Sequence, residues 1–277
     1  MAANADLAGI TERLIAAQDN ATTLPPITAG TPGFSVVDGY AVLAEIERRR
    51  RAQGWRTIGR KIGFTNRTIW PRYGVYQPNW AYLWANTVQF APDAQAALAL
   101  GAFVEPRIEP EVVFKLRTPL RPTDDPTEVL VATEWIAPGF EIVQSHFPNW
   151  KFTAADTTGA CALHGALVVG VPVAVTDANR AKLAAALPAF ALTLRCGDDV
   201  VDRGIGSNVL DSPVLALAHL ARLLADQPQF PALAAGEIVT TGTLTDAWPV
   251  KPGEVWRSDY GALGLAGLTL RFSNAAE

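Results

Sequence analysis

Two short segments set carboxylates inside runs that otherwise have the pattern of buried strands. The first reads Pro106-Arg107-Ile108-Glu109-Pro110-Glu111-Val112-Val113-Phe114, the second Gly139-Phe140-Glu141-Ile142-Val143. Side chains two apart on a strand share a face. Glu109 and Glu111 therefore stand side by side, and Glu141 falls in the same kind of apolar setting. A carboxylate beside a core strand is costly unless a cation neutralises it. Three oxygen ligands with no supporting histidine and cysteine set point to a hard divalent cation, Mg²⁺ or Mn²⁺. Taken alone, a Glu-x-Glu pair is more often at home on the wet face of an edge strand, with Glu141 unrelated to it. The rest of the chain has to decide.

With 277 residues, of which 49% are hydrophobic and 18% charged, the chain can bury a sizeable core and is not disordered. Its net charge is −4, and the basic run Arg48 to Arg51 sits where a helix should end, so a solvated helix end is expected there. Neither nucleic acid nor an anionic membrane is an expected partner. Cys161 and Cys196 are too few for a disulfide framework or a thiolate metal site. Residues 1–6 lack the basic and apolar regions of a signal peptide, and no uninterrupted apolar run has the ~20 residues of a membrane span. A cytoplasmic protein is expected.

Apolar spacing predicts helices over residues 6–18, 38–53 (capped by Asp38), 177–187 and 213–226 (Ser212 as N-cap, Pro213 at the first position). Residues 22–33 read as a loop and 121–128 as a polar turn. Strands are expected at 57–64, 102–104 and 107–116, in a long stretch ending at Val143, at 162–174, and in the tail at 237–241, 254–259 and 267–272. The Gly204-Ile205-Gly206-Ser207 turn lacks the strand–glycine–helix context of a nucleotide loop. The division expected is an N-terminal helical segment, residues 1–70, docked on a β-rich catalytic domain, residues 71–277.

Several blocks in order resemble the 2-keto-4-pentenoate hydratase group of the fumarylacetoacetate hydrolase superfamily, which also holds the 2-oxohepta-3-ene-1,7-dioate hydratases and 4-oxalocrotonate decarboxylases. Gly59 to Asn66 is similar to its lysine-bearing strand, Pro106 to Phe114 to its P-x-x-E-x-E-x-x-F strand, and Phe140 to Val143 to its third ligand segment. Trp150-Lys151, Asp156-Thr157, Gly165 to Gly170, Leu233 to Leu244, Val250 to Glu254 and Gly261 to Gly264 follow in the same order. The resemblance implies an α+β fold, a fumarylacetoacetate hydrolase-like mixed β-roll with N-terminal helices docked on it. It implies Mg²⁺ or Mn²⁺ held by Glu109, Glu111 and Glu141, a small-molecule 2-oxo acid substrate from aromatic-compound catabolism, and a homo-oligomer. The activity implied is hydration of a 2-hydroxy-2,4-dienoate. Decarboxylation, C–C bond hydrolysis or a non-catalytic partner subunit are the alternatives.

Under that resemblance Lys61, on a strand between Ile58 and Ile62, is the expected cationic partner of the substrate or of a proton transfer. Asn79 stands where the family often has an acid–base aspartate, and an amide cannot exchange a proton at neutral pH. His164, in Cys161-Ala162-Leu163-His164-Gly165, is the candidate to supply that function. Trp70, Tyr73, Tyr76, Trp80 and Trp84 crowd one stretch and suggest an aromatic pocket for an apolar substrate tail, with Tyr76 and Trp80 as contacts. Arg72 is the candidate for a distal carboxylate, and Thr241, Gly242 and Thr243 for framing the substrate carboxylate.

Overall fold

The coordinates are a computed structural model that describes residues 6–274. The signal-peptide reading rests mainly on residues 1–5, which lie outside the described residues. The helices are α1 (Leu7–Asn20), α2 (Ile27–Gly30), α3 (Val36–Ala52), α4 (Trp70–Tyr73), α5 (Pro126–Ala132), α6 (Ala154–Gly159), α7 (Arg180–Ala186) and α8 (Pro213–Ala225). The strands are β1 (Thr57–Gly63), β2 (Asn79–Trp84), β3 (Val88–Phe90), β4 (Gln95–Ala99), β5 (Arg107–Leu116), β6 (Thr133–Val143), β7 (His164–Val169), β8 (Val173–Ala174), β9 (Ala191–Cys196), β10 (Asp199–Ile205), β11 (Ile238–Thr240), β12 (Trp248–Pro249), β13 (Val255–Asp259) and β14 (Thr269–Ser273).

The larger sheet runs β2-β1-β11-β5-β6-β7-β3, with β12 added to β5 and β8 to β6; the smaller runs β10-β9-β13-β14-β4. Both sheets mix parallel with antiparallel pairs. β5 and β6 are the long central pair, and their register sets Glu109 opposite Glu141, Glu111 opposite Gly139, and Val113 opposite Ala137. Alternation then divides one face into two zones. Val113 and Ala137 join Leu83, Leu167, Val169 and Ile238 in a dry cluster, while the glutamates stand further along the same strands. Each fully buried aliphatic side chain in that cluster contributes roughly 1.5–3 kcal/mol.

α1 and α3 form from the expected periodicity: Ile10, Leu14 and Ala17 face Val42, Leu43 and Ile46. Asp38 is not the cap of α3. Ser35 is, and Asp38 closes a reciprocal capping box three residues on. Gly39 lets α3 approach α6 so closely that a Cβ would lie 2.8 Å from the Ala155 carbonyl oxygen. β1 lies between β2 and β11 in the large sheet, and α3 before it ends at Ala52.

Other departures have local causes. Residues 102–104 form no strand; the strand is β4, seven residues earlier. α2 lies within the expected loop, and α5 starts inside the expected turn, capped by the Asp125 side chain with Pro126 at its first position. β2 forms where no strand was expected, because pairing with β1 overrides the proline and glycine signals before it. Among the described residues no helix is long and apolar enough to cross a membrane.

Candidate metal centre

Glu109, Glu111 and Glu141 each present a carboxylate oxygen within 4.8 Å of the others. Two of the three carboxylates, those of Glu111 and Glu141, are anchored by neighbouring donors. Gly242 donates its backbone N–H to Glu111 Oε2 at 2.7 Å. Its φ of +94° suits glycine, and a Cβ there would collide with the Thr65 hydroxyl. Glu141 Oε1 receives both His164 Nδ1 at 2.8 Å and Lys61 Nζ at 3.1 Å. The other oxygens, Glu111 Oε1 and Glu141 Oε2, are buried without a hydrogen-bond partner. Unsatisfied buried carboxylate oxygens are expensive, and a dication between them removes the cost.

The electrostatics agree. Burial pushes the Glu109 carboxyl up to about 7, with Lys61 pulling the other way and Glu141 adding to the rise. Burial, then the neighbouring Glu141 and Glu109, push Glu111 well above the usual range. Glu141 is held down to about 2: burial opposes its ionisation, but Lys61 and His164 outweigh it. Burial works against the Lys61 charge too, yet the three glutamates raise its pKa and keep it an ammonium. One ammonium cannot balance three carboxylates. A bound dication reverses the logic for Glu109 and Glu111, so the donor set fits a hard divalent ion.

Of the three, Glu109 lines a narrow cavity of about 30 Å³. Lys61, Glu109, Gly242 and Thr243 line it on the polar side. The remaining wall is largely aromatic: Phe64, Tyr73, Trp150 and Phe152, with ring centroids 5.8–6.3 Å apart for the pairs in contact. The third wall is strained backbone. Cys161, Ala162 and Leu163 have successive φ values of +54°, +48° and +64°, costly for residues other than glycine. That turn aims the Ala162 carbonyl at Lys61 Nζ, 2.9 Å away.

The expected site residues divide. Lys61, Gly242 and Thr243 line the cavity with Glu109. His164 lies behind Glu141: its Nδ1 meets the carboxylate and its Nε2 lies 2.8 Å from the Thr87 hydroxyl. With Glu141 ionised, Nδ1 carries the hydrogen, and the ring does not line the cavity. Asn79 also sits behind the cavity wall, donating to the Thr157 and Thr158 hydroxyls. The Thr241 hydroxyl donates to the Val112 carbonyl, away from the cavity.

Three candidate substrate contacts do not line this cavity. Trp80 points to the opposite face of β2, where it packs between Tyr40 and Phe230 and donates to Gln227. Tyr76 is 64% exposed, with its ring edge-on to Trp70. Arg72 is ion-paired to Asp246 at 2.8 Å on the surface. The aromatic wall is real but built from other residues. Tyr73 alone comes from the crowded stretch; Phe64, Trp150 and Phe152 come from loops after β1 and β6. Periodicity carries no signal for them, because Phe64 and Trp150 take left-handed backbone conformations in irregular segments.

The profile of the fumarylacetoacetate hydrolase C-terminal family matches residues 76–270. This chain belongs to the fumarylacetoacetate hydrolase family. Within the family it is 33% identical to a 2-hydroxyhexa-2,4-dienoate hydratase from Comamonas testosteroni, over 95% of this chain and 96% of that one. It is 29% identical to a 4-oxalocrotonate decarboxylase from Pseudomonas sp. strain CF600, over 90% of each. The solved structure of a 4-oxalocrotonate decarboxylase from Pseudomonas putida G7, complexed with magnesium and adipate, superposes with a TM-score of 0.85 at 25% identity, covering 96% of this chain and 97% of that one. The α+β architecture, two mixed sheets with helices packed on them, is that of the family.

Proposed function

We propose that this protein is a divalent-metal-dependent hydro-lyase that adds water to a 2-hydroxy-2,4-dienoate or its 2-keto-4-enoate tautomer, in aromatic-compound catabolism. The observation that carries the reading is the convergence of Glu109, Glu111 and Glu141 with Lys61, beside a cavity that Glu109 and Lys61 line. Similarity to a dienoate hydratase over nearly the whole chain supports it.

The three glutamates would hold the ion, Mg²⁺ or Mn²⁺. When bound, it supplies fixed positive charge to the carboxylate and C2 oxygen of a 2-oxo acid, where negative charge develops. Lys61 acts as a cation and hydrogen-bond donor rather than a base, because the glutamates hold its proton in place. An ammonium has three donors. One faces the Ala162 carbonyl and one Glu141, which leaves the third for substrate. Among the described lining residues, Lys61, Glu109 and Tyr73 carry the titratable groups. Burial, acting first, raises the Tyr73 pKa, so its hydroxyl stays neutral and accepts from Arg107 at 2.8 Å. The aromatic wall limits bulk water around the reacting carbons.

The test is direct. With Mg²⁺ or Mn²⁺, the purified protein consumes the ultraviolet absorbance of 2-hydroxy-2,4-pentadienoate and yields a 4-hydroxy-2-oxo acid, and a chelator stops it. Release of CO₂ from a 2-oxo-enedioate, with no hydration of the dienoate, would replace hydration by decarboxylation. The similarity to 4-oxalocrotonate decarboxylases keeps that second reading in play. A cytoplasmic homo-oligomer completes the proposal on the family resemblance alone, and light scattering of the purified protein tests the assembly.

A further inference from the structure

A second cleft lies on the other face of β1. Successive side chains on a strand point to opposite faces. Lys61 turns toward the carboxylates, and Arg60 turns away from them into a cleft of about 600 Å³. No residue lines both this cleft and the cavity beside Glu109. Arg60 is built into its wall. The side chain is 3% exposed, and its guanidinium lies 4.3 Å from the centre of the Tyr82 ring. Nη1 donates to Glu237 at 2.9 Å and to the Gly59 carbonyl at 3.3 Å. The Nε atom is buried with no hydrogen-bond partner. A guanidinium offers five N–H donors in a fixed fork, and a buried donor left without an acceptor is costly.

The charge on the wall selects the acceptor. Arg51 and Arg56 join Arg60, against Glu47 and Glu237. Arg51 pairs with Glu47 at 3.5 Å and Arg60 with Glu237. Arg56 is exposed and makes no ion pair among the described residues. The cleft therefore holds one guanidinium more than it holds carboxylates. That surplus matches a single negative charge. A di- or triphosphate would also meet Glu47 and Glu237, and like charges brought together are penalised. Trp55, Tyr82 and Phe230 add flat apolar surface, which suits an aromatic ring. Burial, acting first, raises the Tyr82 pKa, so its hydroxyl keeps its proton as a further donor. Ala44, Thr57, Gly59, Gln229 and Pro231 complete the wall.

We infer that this cleft is a second binding site, separate from the metal centre, for a monoanionic aryl carboxylate. Arg60 takes the carboxylate, Arg56 supplies the unpaired charge, and the ring lies against Trp55, Tyr82 and Phe230. Glu237 competes with the ligand for Arg60, so the site exchanges an internal carboxylate for an external one. The site needs no metal ion and does not depend on the proposed activity.

Calorimetric titration of the whole protein with phenylacetate, in the presence of a chelator, tests it. One saturable site is expected, with a Kd below about 1 mM. Phenylacetamide, which lacks the charge, and acetate, which lacks the ring, are expected to bind at least about ten-fold more weakly, the scale of one hydrogen bond to a charged group. Arg56→Ala, at an exposed position, is expected to weaken phenylacetate by a similar factor. Arg60→Lys keeps the charge but loses the fork, and is expected to weaken it as much. Glu237→Gln removes the competing carboxylate and is expected to tighten binding, an effect that a purely apolar cleft would not show. Thermal melts establish that each variant is folded, and Arg56→Ala carries the test should Arg60→Lys unfold. No saturable binding to the unaltered protein, binding that appears only with Mg²⁺, or binding unmoved by Arg56→Ala and Arg60→Lys overturns the second site. Each of these outcomes leaves the dienoate reading of the metal centre standing.

Discussion

The two halves of the β5–β6 pair share one face, one register and one backbone geometry, yet they do opposite things. Toward Leu116 the face carries Val113 and Ala137, sealed by Leu83, Leu167, Val169 and Ile238. Toward Arg107 it carries Glu109, Glu111 and Glu141. The first half is satisfied by contact alone. The second is not satisfied by the protein, since two of its buried oxygens have no partner and two of its carboxyls resist ionisation. The contrast teaches that the stable half of the pair underwrites the unstable half. A rigid apolar end holds like charges together at the other end, as a site preorganised for a cation requires.

If that division is right, substitutions in the two halves should separate activity from stability. The largest effect is expected at the acidic end. Glu111→Ala should lower activity by more than about a thousand-fold and abolish tight metal binding, while leaving the unliganded fold intact or more stable, because a buried carboxylate is removed. Calorimetric titration with Mn²⁺ and a thermal melt check both, and retained metal affinity would break the ligand assignment. Next comes the apolar end. Leu167→Ala should cost about 2–5 kcal/mol of stability by leaving a cavity, yet bind metal with near-normal affinity below its melting temperature. A loss of metal affinity as large as that of Glu111→Ala would erase the distinction.

A smaller effect is expected at the support behind the ligands. His164→Ala should weaken metal affinity by about 10–100-fold, the usual cost of losing a group that orients a ligand. Activity should recover at saturating Mg²⁺, because the ring does not line the cavity. Activity lost even at saturating metal would restore His164 as a catalytic residue. The smallest effect is the pH dependence of the metal-free protein. Glu109 has its folded pKa raised to about 7. Its contribution to stability is therefore fully present below the unfolded carboxyl value and is lost as pH rises through about 7. The metal-free melting temperature should fall across that window and Mg²⁺ should remove the fall. A flat profile would mean that the acidic end carries no strain.

The pairing of Glu109 with Glu111 was legible from strand alternation, which is local, whereas Glu141 and Lys61 were joined to it only through the ordered blocks that resemble the family. The strand order was not legible, since β1 pairs with β11 across some 180 positions of the chain. Which rings line the cavity was not legible, for a related reason. Trp80 and Tyr73 lie seven residues apart in the sequence, and only the direction of β2 sends Trp80 to the far face. His164 illustrates a third kind of limit. Its residue type suggested chemistry, but its contact with Glu141 depends on β6 and β7 lying side by side.

Composition and periodicity by themselves determined a chain with a large apolar core, helices at its start, strands through its middle, and acidic side chains where a core strand tolerates them only around a cation. Tertiary structure alone decided which rings face the cavity, which histidine atom meets which carboxylate, and how Cys161 to Leu163 turn a carbonyl toward Lys61. The physical reason is range. Side-chain period and charge cost act within a few residues, whereas a site is a meeting of surfaces whose orientation is fixed by pairing and packing between distant segments.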